Sequence, residues 1–247
     1  MINSVRNTVL AILNKNNYGY LSPSDFNLFA KQAQLDIFEQ YFIDYNTQIN
    51  RENARVSGTE YADIRKGIEE AMEVFFEIKD LTQDTENKFF LPSQGTTGDD
   101  YFMVNKILCY DVDDEDVRTF RGEAEKVTHS KITMLVNSNL TQPTKSFPAY
   151  SQGYDSISVY PVSFQDGAVE CHYFRYPTDP KWTYMSLSNG EPIFNQSQPD
   201  YQDFELPIED EPRLVAKILQ YAGISIREAE VFQFGKIEEG ATQPQQQ

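Results

Sequence analysis

The stretch from Asn14 to Asp25, Asn-Lys-Asn-Asn-Tyr-Gly-Tyr-Leu-Ser-Pro-Ser-Asp, has the spacing of a calcium-binding loop set between two helices. Gly19 falls where such a loop must turn, Leu21 at its apolar position and Asp25 at its last ligand. The ligand chemistry fails, because Asn14, Asn16 and Tyr18 stand where carboxylates are needed and Asp25 is left as the only anionic ligand. The segment is read as an ordinary helix-loop-helix in which Ser22-Pro23-Ser24-Asp25 forms a capping box.

Nucleophilic and zinc chemistry meet the same difficulty. The chain has two histidines, His129 and His172, and two cysteines, Cys109 and Cys171, with neither Cys-x-x-Cys nor His-x-x-x-His spacing. Cys171 and His172 are adjacent in an expected strand and point to opposite faces, so they cannot act on each other as nucleophile and base. Cys171 is expected to be a small core residue. There is no nucleophile elbow, phosphate-binding loop or dinucleotide fingerprint, and 38 acidic residues make any chosen carboxylate pair uninformative. The expectation is a protein without catalytic residues, metal or cofactor. A hydrolase would need a cleft that gathers distant carboxylates or Cys–His partners.

The elements that hold these residues follow from periodicity. Ile2, Val5, Val9, Ile12 and Leu13 recur at helical spacing. A second helix is predicted from Pro23 to about Arg55, with Phe26, Phe29, Ala30, Ala33, Ile37 and Tyr41 on one face. Leu28, Leu35, Phe38, Phe42, Tyr45 and Ile49 form a second apolar face, while Ile43 lies towards the remaining arc. Two apolar faces require two packing partners: two helices of the same domain, or one helix and a neighbouring subunit. A third helix is predicted from Ser57-Gly58-Thr59-Glu60 to near Asp80, carrying Tyr61, Ile64, Ile68, Met72, Phe75 and Phe76.

The chain changes character near Asp84. Tyr101–Val112 reads as a buried strand that runs into the acidic turn Asp113-Asp114-Glu115-Asp116, and Ala124–Leu135 as a short helix. Asp155–Phe164 and Val169–Tyr176 read as a hairpin turned at Asp166-Gly167, and Asn189-Gly190 marks a further reversal. A last amphipathic helix carries Leu214, Val215, Ile218, Leu219 and Ala222 and is expected to stop at Gly223. The expected organisation is α+β: a helical domain from 1–84, a β-rich insertion at 85–206, a C-terminal helix at 207–234 returning to the helical domain, and a tail at 235–247. That tail has almost nothing apolar to bury and is expected to be mobile in isolation.

Composition narrows the class further. At 247 residues, with 15 Tyr and 17 Phe, the chain can bury a core and still present extensive interfaces. Its formal net charge of −17 disfavours tight binding to nucleic acid, which requires the opposite sign. No run is long and apolar enough for a membrane span, and few cysteines with no apolar leader point to synthesis in the cytoplasm.

Several segments form a familiar series: Ala33-Gln34-Leu35-Asp36-Ile37-Phe38-Glu39-Gln40-Tyr41-Phe42, Asn139-Leu140-Thr141-Gln142-Pro143-Thr144 with Phe147-Pro148-Ala149-Tyr150, and Ile157–Pro161. They continue with Phe174-Arg175-Tyr176-Pro177-Thr178-Asp179-Pro180-Lys181-Trp182, Phe204-Glu205-Leu206 and Ile218-Leu219-Gln220-Tyr221-Ala222-Gly223-Ile224. Over about Asn3 to Ile226 the chain resembles the head-to-tail connector ring (adaptor) proteins of crAss-like short-tailed bacteriophages. The resemblance implies a structural virion protein of the neck, in a ring of typically twelve identical copies. Its partners would be the portal protein and adjacent tail or ring proteins, with DNA passing through the channel without tight binding. On that reading Leu28, Leu35, Phe38, Phe42, Tyr45 and Ile49 are candidates for the subunit interface. Asp111, Asp113, Asp114, Glu115 and Asp116 are candidates for the channel wall. The alternative is a soluble partner- or ligand-binding module that uses the β-rich domain and presents a concave apolar pocket.

Overall fold

The computed structural model describes residues 1–15, 21–53, 64–113, 117–187 and 192–225. The helices are α1 (Ile2–Lys15), α2 (Pro23–Asn53), α3 (Ile64–Glu73), α4 (His129–Val136) and α5 (Glu211–Ser225). The strands are β1 (Phe76–Asp80), β2 (Gln83–Thr85), β3 (Lys88–Phe90), β4 (Tyr101–Val112), β5 (Arg118–Lys126), β6 (Ala149–Gln152), β7 (Ser156–Tyr160), β8 (Val169–Arg175), β9 (Tyr184–Ser186) and β10 (Pro192–Phe194). The chain is α+β, with a helical unit made from Met1–Val74 and the chain from Pro177 onward, and a β unit, Phe75–Tyr176, inserted between them.

In the helical unit α5 packs against both α1 and α2, and α3 against α2. Ile2, Val5, Val9 and Leu13 of α1 are buried, as are Phe26, Ala30, Ala33, Ile37 and Tyr41 of α2 and Leu214, Ile218, Leu219 and Ala222 of α5. The α2 start follows the sequence signal: Ser22 Oγ accepts the Asp25 amide at 3.1 Å and donates to its carboxylate at 2.6 Å. Phe29 stacks on Tyr221, whose hydroxyl donates to Asp36, and the Tyr41 hydroxyl donates to Asp210. Both bonds join α2 to the C-terminal segment.

The segment returning from the β unit is fastened to the first two helices through Trp182. Its backbone N–H donates to Asn27 Oδ1 at 2.9 Å, its carbonyl accepts Asn27 Nδ2 at 3.2 Å, and its indole N–H donates to Asn3 Oδ1 at 3.1 Å. The Arg6 guanidinium lies 3.8 Å from the ring centroid, and Tyr184 of β9 and Phe194 of β10 stack nearby at 5.7 and 5.9 Å. Buried Gln34 adds a second fastening: its amide donates to the Thr178 carbonyl at 2.8 Å and accepts the Glu205 amide at 3.1 Å. Asp203 caps α1 from a distance, accepting the Ile2 amide at 2.7 Å and the amino terminus at 2.9 Å.

The β unit is one eight-stranded sheet in the order β1-β8-β4-β5-β6-β7-β3-β2, antiparallel except for the short β5–β6 pair. Its two outermost strands are consecutive in sequence, separated only by Leu81 and Thr82. Leu81 N–H still bonds Val169 O and Phe90 N–H bonds Thr82 O, so one bent segment, 76–85, joins both ends of the sheet. The sheet is therefore curled around a core in which Phe89, Ile157 and Val159 from one end meet Ile107, Cys109, Cys171 and Tyr173 from the other. At a bulge in the β4–β5 ladder, Gly122 lies opposite Cys109. A Cβ there would stand 2.9 Å from the Ser146 carbonyl oxygen and 3.3 Å from Pro148 Cδ, so glycine is required by the chain crossing over it.

Several expectations need correction. The third helix ends at Glu73, and Phe76 to Asp80 form a strand; alternating and helical periods both accommodate Phe75 and Phe76, and pairing with β8 decides for strand. The β unit accordingly begins at Phe75 and not near 85. It ends at Tyr176 and not at 206, because Trp182 and its neighbours pack with the helices. The strands expected as a hairpin exist and Gly167 turns with φ 74°, but they do not pair: β7 lies between β6 and β3, and β8 between β1 and β4. Ala124 belongs to β5, and the helix begins at His129. α5 continues through Gly223 to Ser225. The Ser57–Glu60 cap, Asn189-Gly190 and the tail lie outside the described residues, although β9 and β10 on either side of Asn189-Gly190 pair antiparallel.

Two measurements test this architecture. Gly122→Ala should lower stability by about 1–3 kcal/mol, read as a shift of the denaturant midpoint at unchanged slope, since the crossing is backbone and cannot rotate away. Burial works against the Asp203 carboxylate, and the amino terminus with the Ile2 and Phe204 amides outweighs it, holding the carboxyl below the usual range. A lowered folded pKa means stability present above the unfolded value and lost as pH falls through the folded one. The melting temperature of the native chain should therefore fall more steeply below about pH 4 than that of Asp203→Asn, which should already be lower at neutral pH.

Candidate functional site

The predicted interface residues of α2 do not share one environment. Phe38 is fully buried and meets Phe42 edge-on at 5.1 Å, so it belongs to the core of its own unit and not to a subunit interface. Leu35, Phe42, Tyr45 and Ile49 are half-buried, and the Arg65 guanidinium of α3 lies 5.8 Å from the Tyr45 ring. Helix α3 thus covers part of the second face within the unit. Leu28 remains 56% exposed, and so does Ile43 at 54%, which the helical wheel had put towards the polar arc.

A second apolar surface lies on the same unit between α1 and α5. It is a groove of about 490 Å³ between Thr8 and Ile12 on one side and Pro212, Val215 and Ala216 on the other, with Ile208 at its mouth. The sequence gives no sign of it, because Ile208 precedes the amphipathic pattern of α5 and belongs to a single 3-10 turn, Ile208–Asp210.

The acidic run divides at the limit of the described residues. Asp114, Glu115 and Asp116 lie outside them. Asp111 on β4 accepts Lys145 Nζ and Arg121 Nη2, each at 2.9 Å, and these hydrogen bonds hold its carboxyl below the usual carboxylate range. Asp113 forms the β4–β5 turn by accepting the Val117 amide at 2.9 Å. Asp111 is therefore a charge already matched by cations.

Cys109 and Cys171 are free and lie in the sheet core, on diagonally related positions of β4 and β8. Burial pushes both thiols up to about 12, which leaves almost no thiolate at neutral pH. His172 lies on the other sheet face, 2.9 Å from Glu170 and edge-on to Phe76, away from the Cys171 side chain. His129 Nε2 pairs with the Gln152 carbonyl at 3.0 Å. Among the described residues no three His, Cys, Asp or Glu side chains converge on a point that could hold a metal ion. No helix among them is long and apolar enough to cross a membrane.

An open groove of about 730 Å³ lies in the β unit. The rings of Phe90, Tyr101, Phe102, Tyr154 and Tyr176 line it, with Leu91 and Pro92 buried beneath. Phe102 and Tyr176 meet at 5.2 Å with their planes 81° apart, making two walls of a corner. Tyr101 donates its hydroxyl to the Tyr154 carbonyl at 3.2 Å, and Leu91 N–H donates to the Asp155 carbonyl at 2.8 Å, which fixes the β6–β7 turn beside the groove. Asp100 also lines it and accepts the Gln94 amide at 2.8 Å. Tyr154 is 96% exposed. Its place in Gly153-Tyr154-Asp155, an aromatic residue in a polar turn with nothing local to cover it, is the sequence signal that marks this groove.

No protein-family model matches the chain, and no curated protein matches it. The buried thiols give a direct test: in the native protein a thiol-specific reagent at neutral pH should label neither Cys109 nor Cys171, and both should react on unfolding. Rapid labelling of either in the folded chain would contradict this burial.

Proposed function

We propose that this chain is a structural subunit that assembles with identical copies into a ring in the neck of a short-tailed phage, between portal and tail, around the channel through which the genome leaves. The observation that carries the reading is that the helical unit leaves different apolar features uncovered, Leu28 and Ile43 exposed at separate points along α2 and the groove between α1 and α5. A closed ring is built from heterologous contacts, in which each subunit offers two unlike, complementary surfaces. The resemblance to connector rings supports the same reading. So does the net charge of −17, since a polyanion slides past an acidic wall without being held.

A second reading, the β unit as a binding module for a partner, is favoured by the aromatic groove and its open rim. It is compatible with a ring, because a connector must also grip its neighbours.

Native mass measurement and negative-stain imaging of the purified chain test the ring. Closed cyclic particles are expected, and a monomer at every attainable concentration would contradict the proposal. Leu28→Asp and Ile43→Asp should each weaken assembly by about tenfold or more through a charge placed in every subunit contact, while leaving the melting temperature nearly unchanged, since both positions are exposed.

A further inference from the structure

We propose that the aromatic groove of the β unit receives a cationic side chain, arginine or lysine, carried on an extended segment of a partner protein. The inference rests on the second reading above and names the chemistry of its partner.

Aromatic faces attract cations through the negative potential of the ring, and five rings line this groove. The corner made by Phe102 and Tyr176 offers both a face and an edge to one inserted group, and the planar guanidinium of arginine suits such a slot. The carboxylates supply the second half of the argument. Asp80 is matched by Arg118 at 2.7 Å, Asp99 by Lys79 at 2.9 Å, and Asp111 by Arg121 and Lys145. Asp100 and Asp155, both among the residues lining the groove, form no ion pair among the described residues. An unmatched pair of carboxylates over aromatic walls is complementary to a cation, and the net charge of −17 steers one towards it while opposing an anionic ligand. A volume of about 730 Å³ exceeds a single side chain, so the flanking residues of an extended segment fill the remainder.

The test is a titration of the full chain with a five-residue peptide carrying one central arginine, and with the same peptide carrying citrulline, its neutral isostere. Tyrosine ring signals report binding. The arginine peptide should shift the Tyr101, Tyr154 and Tyr176 signals at up to millimolar concentration, weaken with added salt, and bind about tenfold more tightly than the citrulline peptide. Tyr154→Ala and Asp155→Asn should each weaken it by about three- to tenfold. Neither substitution disturbs the fold, since Tyr154 is exposed and Asp155 contributes only its backbone carbonyl to the β unit. Equal binding of both peptides would overturn the cationic assignment and leave the binding-module reading standing. Failure of both peptides to move these signals would overturn the two together, whereas a neutral oligosaccharide shifting them in the peptides' place would overturn the cationic assignment alone.

Discussion

The helical unit is closed chiefly by the burial of Trp182 among Asn3, Arg6 and Asn27. Its chain leaves after Val74 and returns at Pro177, and the returning segment must find the first two helices again. Closing a flexible excursion of about 100 residues costs roughly 4 kcal/mol in chain entropy alone. The β unit removes most of that cost before the helices meet, because its own ends are paired: Phe76 lies opposite Phe174, and Arg175 N–H bonds Phe75 O at 2.9 Å. To the helical unit the insertion behaves as a short connection. Trp182, with Gln34 reaching both Thr178 and Glu205, then has only to hold adjacent strands of chain in register.

Local signals carried the helical part of this architecture and failed where pairing is non-local. The cap at Ser22, the apolar stripe of α1 and the amphipathic pattern of α5 are written within a few residues of one another, so they were legible. The turn at Gly167 was legible too, but a turn says nothing about which strand receives the next one, and β8 finds β4 and β1 across more than sixty and ninety residues. β1 was misread because Phe75 and Phe76 satisfy a helical stripe as well as a strand; only the partner decides. The parallel β5–β6 contact has no local signature at all.

The site residues show the same division. Cys171 as a core residue, with His172 on the opposite face, follows from alternation along one strand. The second face of α2 was read correctly as apolar, yet the wheel cannot tell a helix of the same unit from a second molecule, and Phe38 went to the former. That Asp111 is matched was not legible, because its cations, Arg121 and Lys145, stand 10 and 34 residues further along the chain. The aromatic groove collects residues from three separate stretches, around 90–102, 154–155 and 176, and only the exposed tyrosine in a polar turn hinted at it.

The pairing of the ends of the β unit has a mechanical side. β1 enters at Phe76 and β8 leaves at Arg175, side by side on an antiparallel ladder, so tension drawn between the two helical segments reaches one end of that ladder and pulls across it. Hydrogen bonds loaded this way open in succession like a zip, each bearing the force alone, whereas strands pulled lengthwise must break many together. The β unit is in that respect a soft element within the chain, able to yield at the Phe76–Phe174 rung while the far ladders around Ile157 and Phe89 stay closed.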